Sequence, residues 1–465
     1  LEQTLAALPA VSPAELVSTT LWSPLRYNQR TRIEGVGRGV AISAIVPRAQ
    51  VDLAGDRNKF AGGLMRSGLT AIGVAGLMAC ALVLAWPGAA QPLPGVSDSE
   101  IRIGNLVPYS GPAAAYGDLG RVHAAFFAMV NDLGGINGRR VTLLSNDDGY
   151  SPPRTLEQAR RLVERDDVLL IFQSLGTPTN LAIRDYMNEM GVPQLFMATG
   201  SPVFDDPVNY PWTMRWNPSF ESEARVYADY ILETFEQATI GVLYQNDDSG
   251  RSAVAVLAES IAGRFPIVSQ PYDQTDPTVD AQVAALQAAG VTVFVNLAIG
   301  RFAAQSIRRA AELQWRPHHI LYSGSASIAE TFMPAGLENA VGIITTRHSI
   351  DPADPAFADH PGRAEFVWFM ENYLPGRQYT VLEAYAYNVA SALVEVLRRC
   401  GNDLSRADVM EHAANLTDLA LPMLIPGITV NTSPTDYAPI EAFQMARFDG
   451  NSFVPFGAII DTANQ

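Results

Sequence analysis

Ile101-Arg-Ile-Gly-Asn-Leu-Val-Pro-Tyr-Ser-Gly-Pro112 is the stretch whose reading decides the fold. Ile101 to Val107 is an apolar-rich run, and the Pro, Ser and Gly cluster behind it is turn chemistry, so the segment reads as a strand entering a loop. Gly120 to Asn131 follows at helical spacing, with Phe126, Phe127 and Val130 on one face. The strand–loop–helix pattern then recurs: strands at 141–145, 168–172 and 193–197 alternate with helices at 153–164 and from the loop 173–177 through Met190. It restarts at Thr239–Tyr244 and continues as helix 250–263, strand 267–272, helix 278–289, strand 291–295, helix 301–313 and strand 319–322. Such alternation is the mark of βαβ units and parallel sheets. Two serial sets of about four βα units, with no repeat between them, predict two similar lobes of about 120 residues each. A long helix at 382–399, a second at 405–415 and the strand-like Ala442–Phe448 complete the chain.

Composition narrows the function. The chain has 465 residues and is 48% hydrophobic and 17% charged, which is a folded rather than disordered composition. Its formal charge is −16, and residues 1–90 hold 8 of the 32 basic but only 5 of the 48 acidic residues. The acidic remainder argues against nucleic acid and against anionic lipid, both of which select basic surfaces. Two cysteines, Cys80 and Cys400, are too few for a CxxC-type zinc site.

Met65 is the first methionine. Arg66, the uncharged apolar run Leu69–Trp86 and the small residues Gly88-Ala89-Ala90 have the layout of a secretory signal. The expectation is therefore an upstream segment at 1–64, a signal peptide at 65–90 and a mature chain from near Gln91, exported to the periplasm. A membrane anchor over the same run, and lipid attachment at Cys80, are the alternatives.

Catalytic motifs are lacking: the sequence contains no GxSxG, no HExxH and no phosphate-binding GxxxxGK[ST], so no enzyme, cofactor or metal is expected. The pair His318-His319 reads as surface residues at a strand start. The acidic pairs Asp147-Asp148, Asp166-Asp167, Asp205-Asp206 and Asp247-Asp248 lie after strands or beside helix starts, where Asp caps amides and tolerates turns. Ligands of open α/β sheets bind beyond the C-terminal strand ends. There stand Ser174-Leu-Gly-Thr-Pro-Thr-Asn180, which runs into a helix, and Ala198-Thr-Gly-Ser-Pro202. Both offer hydroxyls and amides, the first at a helix N-terminus that favours an anion. Thr177 and Ser201 acting only as caps is the alternative.

The opening run, with Tyr116-Gly-Asp-Leu-Gly-Arg121, Asn131-Asp-Leu-Gly-Gly-Ile-Asn-Gly138, Asp147-Asp148, Asp248-Ser-Gly250 and Asp276-Pro-Thr-Val-Asp280, resembles the periplasmic leucine/isoleucine/valine-type binding proteins of ABC transporters over about 98–460. The resemblance implies an α/β fold of two Rossmann-like lobes with parallel-rich sheets, joined by three crossovers near Asn217, Thr346 and Val430. Lobe 1 would be 98–217 plus 347–429 and lobe 2 would be 218–346 plus 430–465. It implies a monomer that closes on a small-molecule ligand and delivers it to a membrane permease and its ATPase. A sensor on the same fold is the alternative.

The resemblance also places the ligand's carboxylate between Gly176, Thr177 and Thr179 on one loop and Ala198, Thr199 and Ser201 on another, with Tyr116 bordering the pocket. Two positions depart from the family pattern. Ser249 replaces an aromatic residue, and Ser325 falls where a glutamate receives the ligand's ammonium. Serine cannot neutralise an ammonium, so an organic acid lacking that group is expected to bind better than an amino acid, unless Asp247, Asp248 or Glu330 supplies the charge.

Overall fold

Strand β1 (Glu100–Val107) is an interior strand of the first sheet. Ile101, Ile103, Leu106 and Val107 are fully buried because helices cover both faces. β1 pairs in parallel with β2 (Arg140–Asp147) and β3 (Leu170–Phe172), which continues to β4 (Gln194–Met197) and β5 (Thr213–Arg215). The order is β2-β1-β3-β4-β5. The structure is a computed structural model that describes residues 93–111 and 113–463. The signal-peptide, anchor and Cys80 readings lie outside the described residues. No helix among the described residues is long and apolar enough to cross a membrane.

The second sheet has the order β12-β11-β10-β9-β8-β6-β7. Its parallel part comprises β6 (Ile240–Gln245), β7 (Ile267–Tyr272), β8 (Val293–Leu297), β9 (His318–Leu321) and β10 (Ile344–Arg347). The pair β11 (Ala442–Phe448) and β12 (Phe453–Asp461) adds to β10 antiparallel. The two parallel orders, 2-1-3-4-5 and 7-6-8-9-10, are the same doubly wound arrangement. Each reverses direction beside its first strand, between β1 and β3 and between β6 and β8. Both sheets belong to one compact unit, Leu93–Gln465.

Helices α1 (Asp118–Asp132), α2 (Pro152–Arg160) and α3 (Thr177–Glu189) cover the first sheet. Helices α4 (Phe220–Thr234), α5 (Asp248–Ile261), α6 (Asp280–Ala288) and α7 (Arg301–Glu312) belong with the second. After β10 the chain returns to the first: Phe126 of α1 packs edge-on against Phe369 of α8 (Pro361–Tyr373) and Tyr387 of α9 (Val381–Arg399), at 5.9 and 5.2 Å between ring centres. A short α10 (Arg406–Ala413) follows before the chain re-enters the second sheet at β11.

Three expectations need correction. Each sheet has five parallel strands, not four. β5 has three residues and β10 reads Ile-Thr-Thr-Arg, too short and too polar to register as apolar runs. α5 starts at Asp248, two residues earlier than its apolar pattern, because Asp247 caps it by accepting the Gly250 N–H at 2.9 Å. His319 is not a surface residue. It is buried in β9 with its ring 4.6 Å from that of Phe294, and burial holds its imidazole neutral, down to about 3. Among the acidic pairs, Asp147-Asp148 and Asp247-Asp248 serve turns and caps, whereas Asp167 pairs with Arg102 at 2.9 Å and Asp205 with Arg215 at 2.6 Å. Asp147 accepts the N–H groups of Tyr109, Ser110 and Gly149, and Asp148 those of Tyr150 and the Thr155 hydroxyl.

Candidate functional site

The C-terminal ends of both sheets border one cavity of about 470 Å³. The loops at both reversals of strand order contribute to it: Tyr116 after β1, Gly176 and Thr177 after β3, Asp247 and Ser249 after β6, and Ile299 and Gly300 after β8. Crevices form at such points because neighbouring loops diverge to opposite faces of the sheet.

One side chain ties the two halves. Thr177 Oγ1, at the start of α3, shares hydrogen bonds of 2.7 Å with Thr199 Oγ of the β4 loop and 2.7 Å with Ser249 Oγ of α5. The first partner belongs to the first sheet and the second to the other. The turn before α3 depends on Gly176, whose φ of 94° and ψ of 156° suit glycine alone. Its missing Cβ leaves room for the Tyr150 ring, which a methyl group there would meet at 2.5 Å.

Aromatic hydroxyls dominate the rest. Tyr385 of α9 donates to Asn217 Oδ1 at 2.6 Å and accepts from Gln173 Nε2 at 2.8 Å. Tyr116, Tyr150 and Tyr322 complete the wall. Burial, above all, pushes the phenols of all four well above their ordinary range, so they stay protonated donors.

Three carboxylates line the same space. Glu223 of α4 is buried and accepts from Tyr227, Thr346, the Ser323 N–H at 2.8 Å and the Ser323 hydroxyl at 3.2 Å. Burial raises it and these donors oppose that. Asp247 is occupied by the Gly250 N–H and by Gln245 Nε2 at 2.6 Å. Glu330 lines the cavity, and desolvation by the surrounding protein, followed by the charge of Glu383 on α9, pushes its carboxyl up to about 7. Arg301, the one arginine on the lining, is turned to the carbonyl of Asp276 at 2.8 Å. His348 is kept neutral by burial and by Arg347, down to about 4.

The structure brings together Tyr116, Gly176, Thr177, Ala198, Thr199, Ser249 and Ser325 on the cavity. Thr179 and Ser201 stand outside its lining. Thr179 turns its hydroxyl back to the carbonyls of Leu175 and Gly176, and Ser201 is buried at the start of a one-turn helix, its N–H on Thr199 Oγ1. Ser325 donates to the Ala298 carbonyl at 2.8 Å. Of the acids kept as alternatives, Asp247 and Glu330 line the cavity and Asp248 does not, while Glu223 adds an acid that the sequence did not suggest. Glu223, Tyr150 and Tyr385 escaped the sequence reading because each looks like an ordinary residue of a helix or a turn. Their only signal is position near a strand end or a helix start.

A family profile described as Periplasmic binding protein matches residues 100–452, three quarters of the chain. The chain belongs to the periplasmic binding protein family. Its relatives include "Leu/Ile/Val-binding protein homolog 2" of Brucella abortus (strain 2308), 24% identical over 350 residues that span 74% of this chain and 87% of the relative. Among solved structures it is similar to a branched-chain amino acid ABC transporter protein from Thermus thermophilus with bound valine. The TM-score is 0.71 at 17% identity, over 79% of this chain and 98% of that one. An ABC transporter solute-binding protein from Rhodopseudomonas palustris BisB5, in complex with 3,4-dihydroxy benzoic acid, matches with a TM-score of 0.65 at 17% identity. It covers 78% of this chain and 98% of that one. This periplasmic binding protein thus has the two-sheet fold of those neighbours, with strand-end loops around a cavity.

Proposed function

We propose that this protein is the extracytoplasmic, periplasmic solute-binding component of an ABC uptake system, acting as a monomer. It takes a small carboxylate-bearing molecule, an organic acid or an amino acid, between lobe 1 (98–217 plus 347–429) and lobe 2 (218–346 plus 430–465), and passes it to a membrane permease and its ATPase without chemical change. The observation that carries the reading is the buried Thr177–Ser249 hydrogen bond on the cavity lining, between the start of α3 on the first sheet and α5 of the second, a contact that separation of the lobes would break. The start of α3 supports an anion at Thr177 and Thr199, since helix N-termini favour negative charge. The valine and 3,4-dihydroxy benzoic acid of the two solved neighbours both carry a carboxylate. Glu223, Asp247 and Glu330 favour a ligand that also brings a cation or hydrogen-bond donors, so the acids on the lining weigh toward the amino acid of the two classes.

Matched pairs test this: an amino acid against its deaminated or keto analogue, screened by thermal shift and calorimetry. A ligand at 100 times its Kd stabilises by about 2.7 kcal/mol. The amino acid of a pair is expected to bind at least about tenfold tighter, equivalent to about 1.4 kcal/mol. Tighter binding of the deaminated partner returns the organic-acid reading, and no response to any carboxylate overturns the proposal.

Hinge closure is expected with it, because lobes joined by short crossovers rotate about a few backbone positions. The radius of gyration from solution scattering should fall at saturating ligand, and an unchanged value argues against closure. Thr177→Val removes a hydroxyl shared by Thr199 and Ser249. Affinity is expected to drop by about 1–3 kcal/mol, two neutral hydrogen bonds at about 0.5–1.5 each, as read by calorimetry.

A further inference from the structure

We infer that Cys400, Asp408 and His412 form a binding site for a divalent transition ion of the zinc type, outside the ligand cavity. Cys400 caps the C-terminus of α9, and Asp408 and His412 stand one turn apart on α10. One sulfur, one carboxylate oxygen and one imidazole nitrogen all lie within 4.8 Å of one another. His412 Nε2 is 3.7 Å from Asp408 Oδ1. Zinc bonds of about 2.0–2.3 Å in a tetrahedron separate ligand atoms by about 3.3–3.7 Å, so small side-chain rotations bring the set into range. None of the three lines the cavity.

A second observation points the same way. Asp408 Oδ2 is buried with no hydrogen-bond donor on it, whereas buried carboxylate oxygens are nearly always satisfied. The thiol points to the Val396 carbonyl at 3.3 Å and also faces the Asp408 carboxylate, so the sulfur and the acid already stand side by side as a shared ion would need. The neighbouring cation Arg399 is directed to Glu395 at 2.9 Å. A metal ion in the triangle would satisfy Asp408 Oδ2, and the partly exposed His412 leaves the fourth position open to water. The donor set of sulfur, nitrogen and one oxygen suits zinc or cobalt and not the hard cations magnesium and calcium. Burial and the Asp408 carboxylate push the Cys400 thiol well above its ordinary range. Coordination therefore releases the thiol proton to solvent, and binding strengthens as pH rises. Bound there, the ion clips the end of α9 to α10.

The test uses the full chain after chelator treatment, titrated separately with Zn²⁺, Co²⁺ and Mg²⁺. The expected result is one equivalent of Zn²⁺, with proton release in calorimetry. Co²⁺ should give thiolate-to-cobalt charge-transfer absorption in the near ultraviolet, and Mg²⁺ should have no effect. Cys400→Ser should abolish the absorption. His412→Gln should weaken Zn²⁺ by more than the roughly 10–100-fold that losing an outer-shell partner costs. If Cys400→Ser does not fold, His412→Gln decides alone, because that side chain is one-third exposed. A cobalt complex without sulfur absorption, or Zn²⁺ affinity unchanged in His412→Gln, overturns the inference.

Discussion

Gly176→Ala is expected to destabilise the protein by about 2–6 kcal/mol and to remove measurable ligand binding. Its backbone lies in a region of φ and ψ that side chains essentially never occupy, which costs about 1–3 kcal/mol for a residue with a Cβ. The added methyl would also stand 2.5 Å from Tyr150 Cε2 and 2.9 Å from Thr179 Oγ1, and overpacking adds about 1–3 kcal/mol. Relief requires either the Tyr150 ring or the first turn of α3 to move. Both border the cavity, so the loss of affinity should exceed what global destabilisation alone produces. Denaturant midpoints and calorimetry on the same samples separate the two effects. A variant that keeps wild-type affinity while losing stability would show that the turn before α3 is a structural cap only. The small neighbour Gly200 offers a contrast: its φ is ordinary, but a Cβ there would meet the Pro218 carbonyl at 2.3 Å, so its constraint is space rather than conformation.

The parallel core of each sheet was readable because its strands are largely buried on both faces and appear as apolar runs, such as Val168–Phe172 and Val293–Val295. The last strand of each parallel run was not. Thr213–Arg215 and Ile344–Arg347 carry buried polar residues whose partners lie far along the chain, as with Thr346 on Glu223, so local pattern reports them as loop. The site divides the same way. Loops directly after strands announce themselves by Gly, Ser and Thr, which is why Gly176, Thr177 and Thr199 were legible as a group. Glu223 and Tyr385 enter the cavity from helices whose apolar faces look ordinary, and only the docking of α4 and α9 turns them inward. Register fails in longer loops. Ser325 and Glu330 are five residues apart after β9, and a short turn at Ile328–Phe332 brings the acid to the same cavity as the serine.

Arg215→Met should cost about 3–5 kcal/mol, the range for breaking a buried ion pair from one side, and should weaken ligand binding as well. Arg215 Nε reaches Asp205 Oδ1 at 2.6 Å and Oδ2 at 2.8 Å, and its side chain is 2% exposed. The same guanidinium donates to the Asn217 carbonyl. Asn217 in turn holds the Tyr385 hydroxyl on the cavity wall, so one cation beside the first crossover fixes both the chain path and a lining side chain. Asp205 and Glu441 are carboxyls that burial raises and Arg215 lowers, with Asp436 adding repulsion to both. Glu441 already stands at about 7. Removal of the cation leaves these acids facing one another, which raises them further, and a carboxyl raised in the folded state loses stability as pH rises through its folded value. The deficit of Arg215→Met relative to wild type should therefore be largest above about pH 7 and shrink on acidification toward pH 5. Arg215→Lys keeps the charge but not the two-pronged contact, and should recover part of the stability without restoring the Asn217 contact or full affinity. Denaturant melts of the three proteins across that pH range, paired with calorimetry on whichever carboxylate ligand the screen returns, read both effects. A deficit independent of pH would mean that Arg215 acts through packing rather than through charge.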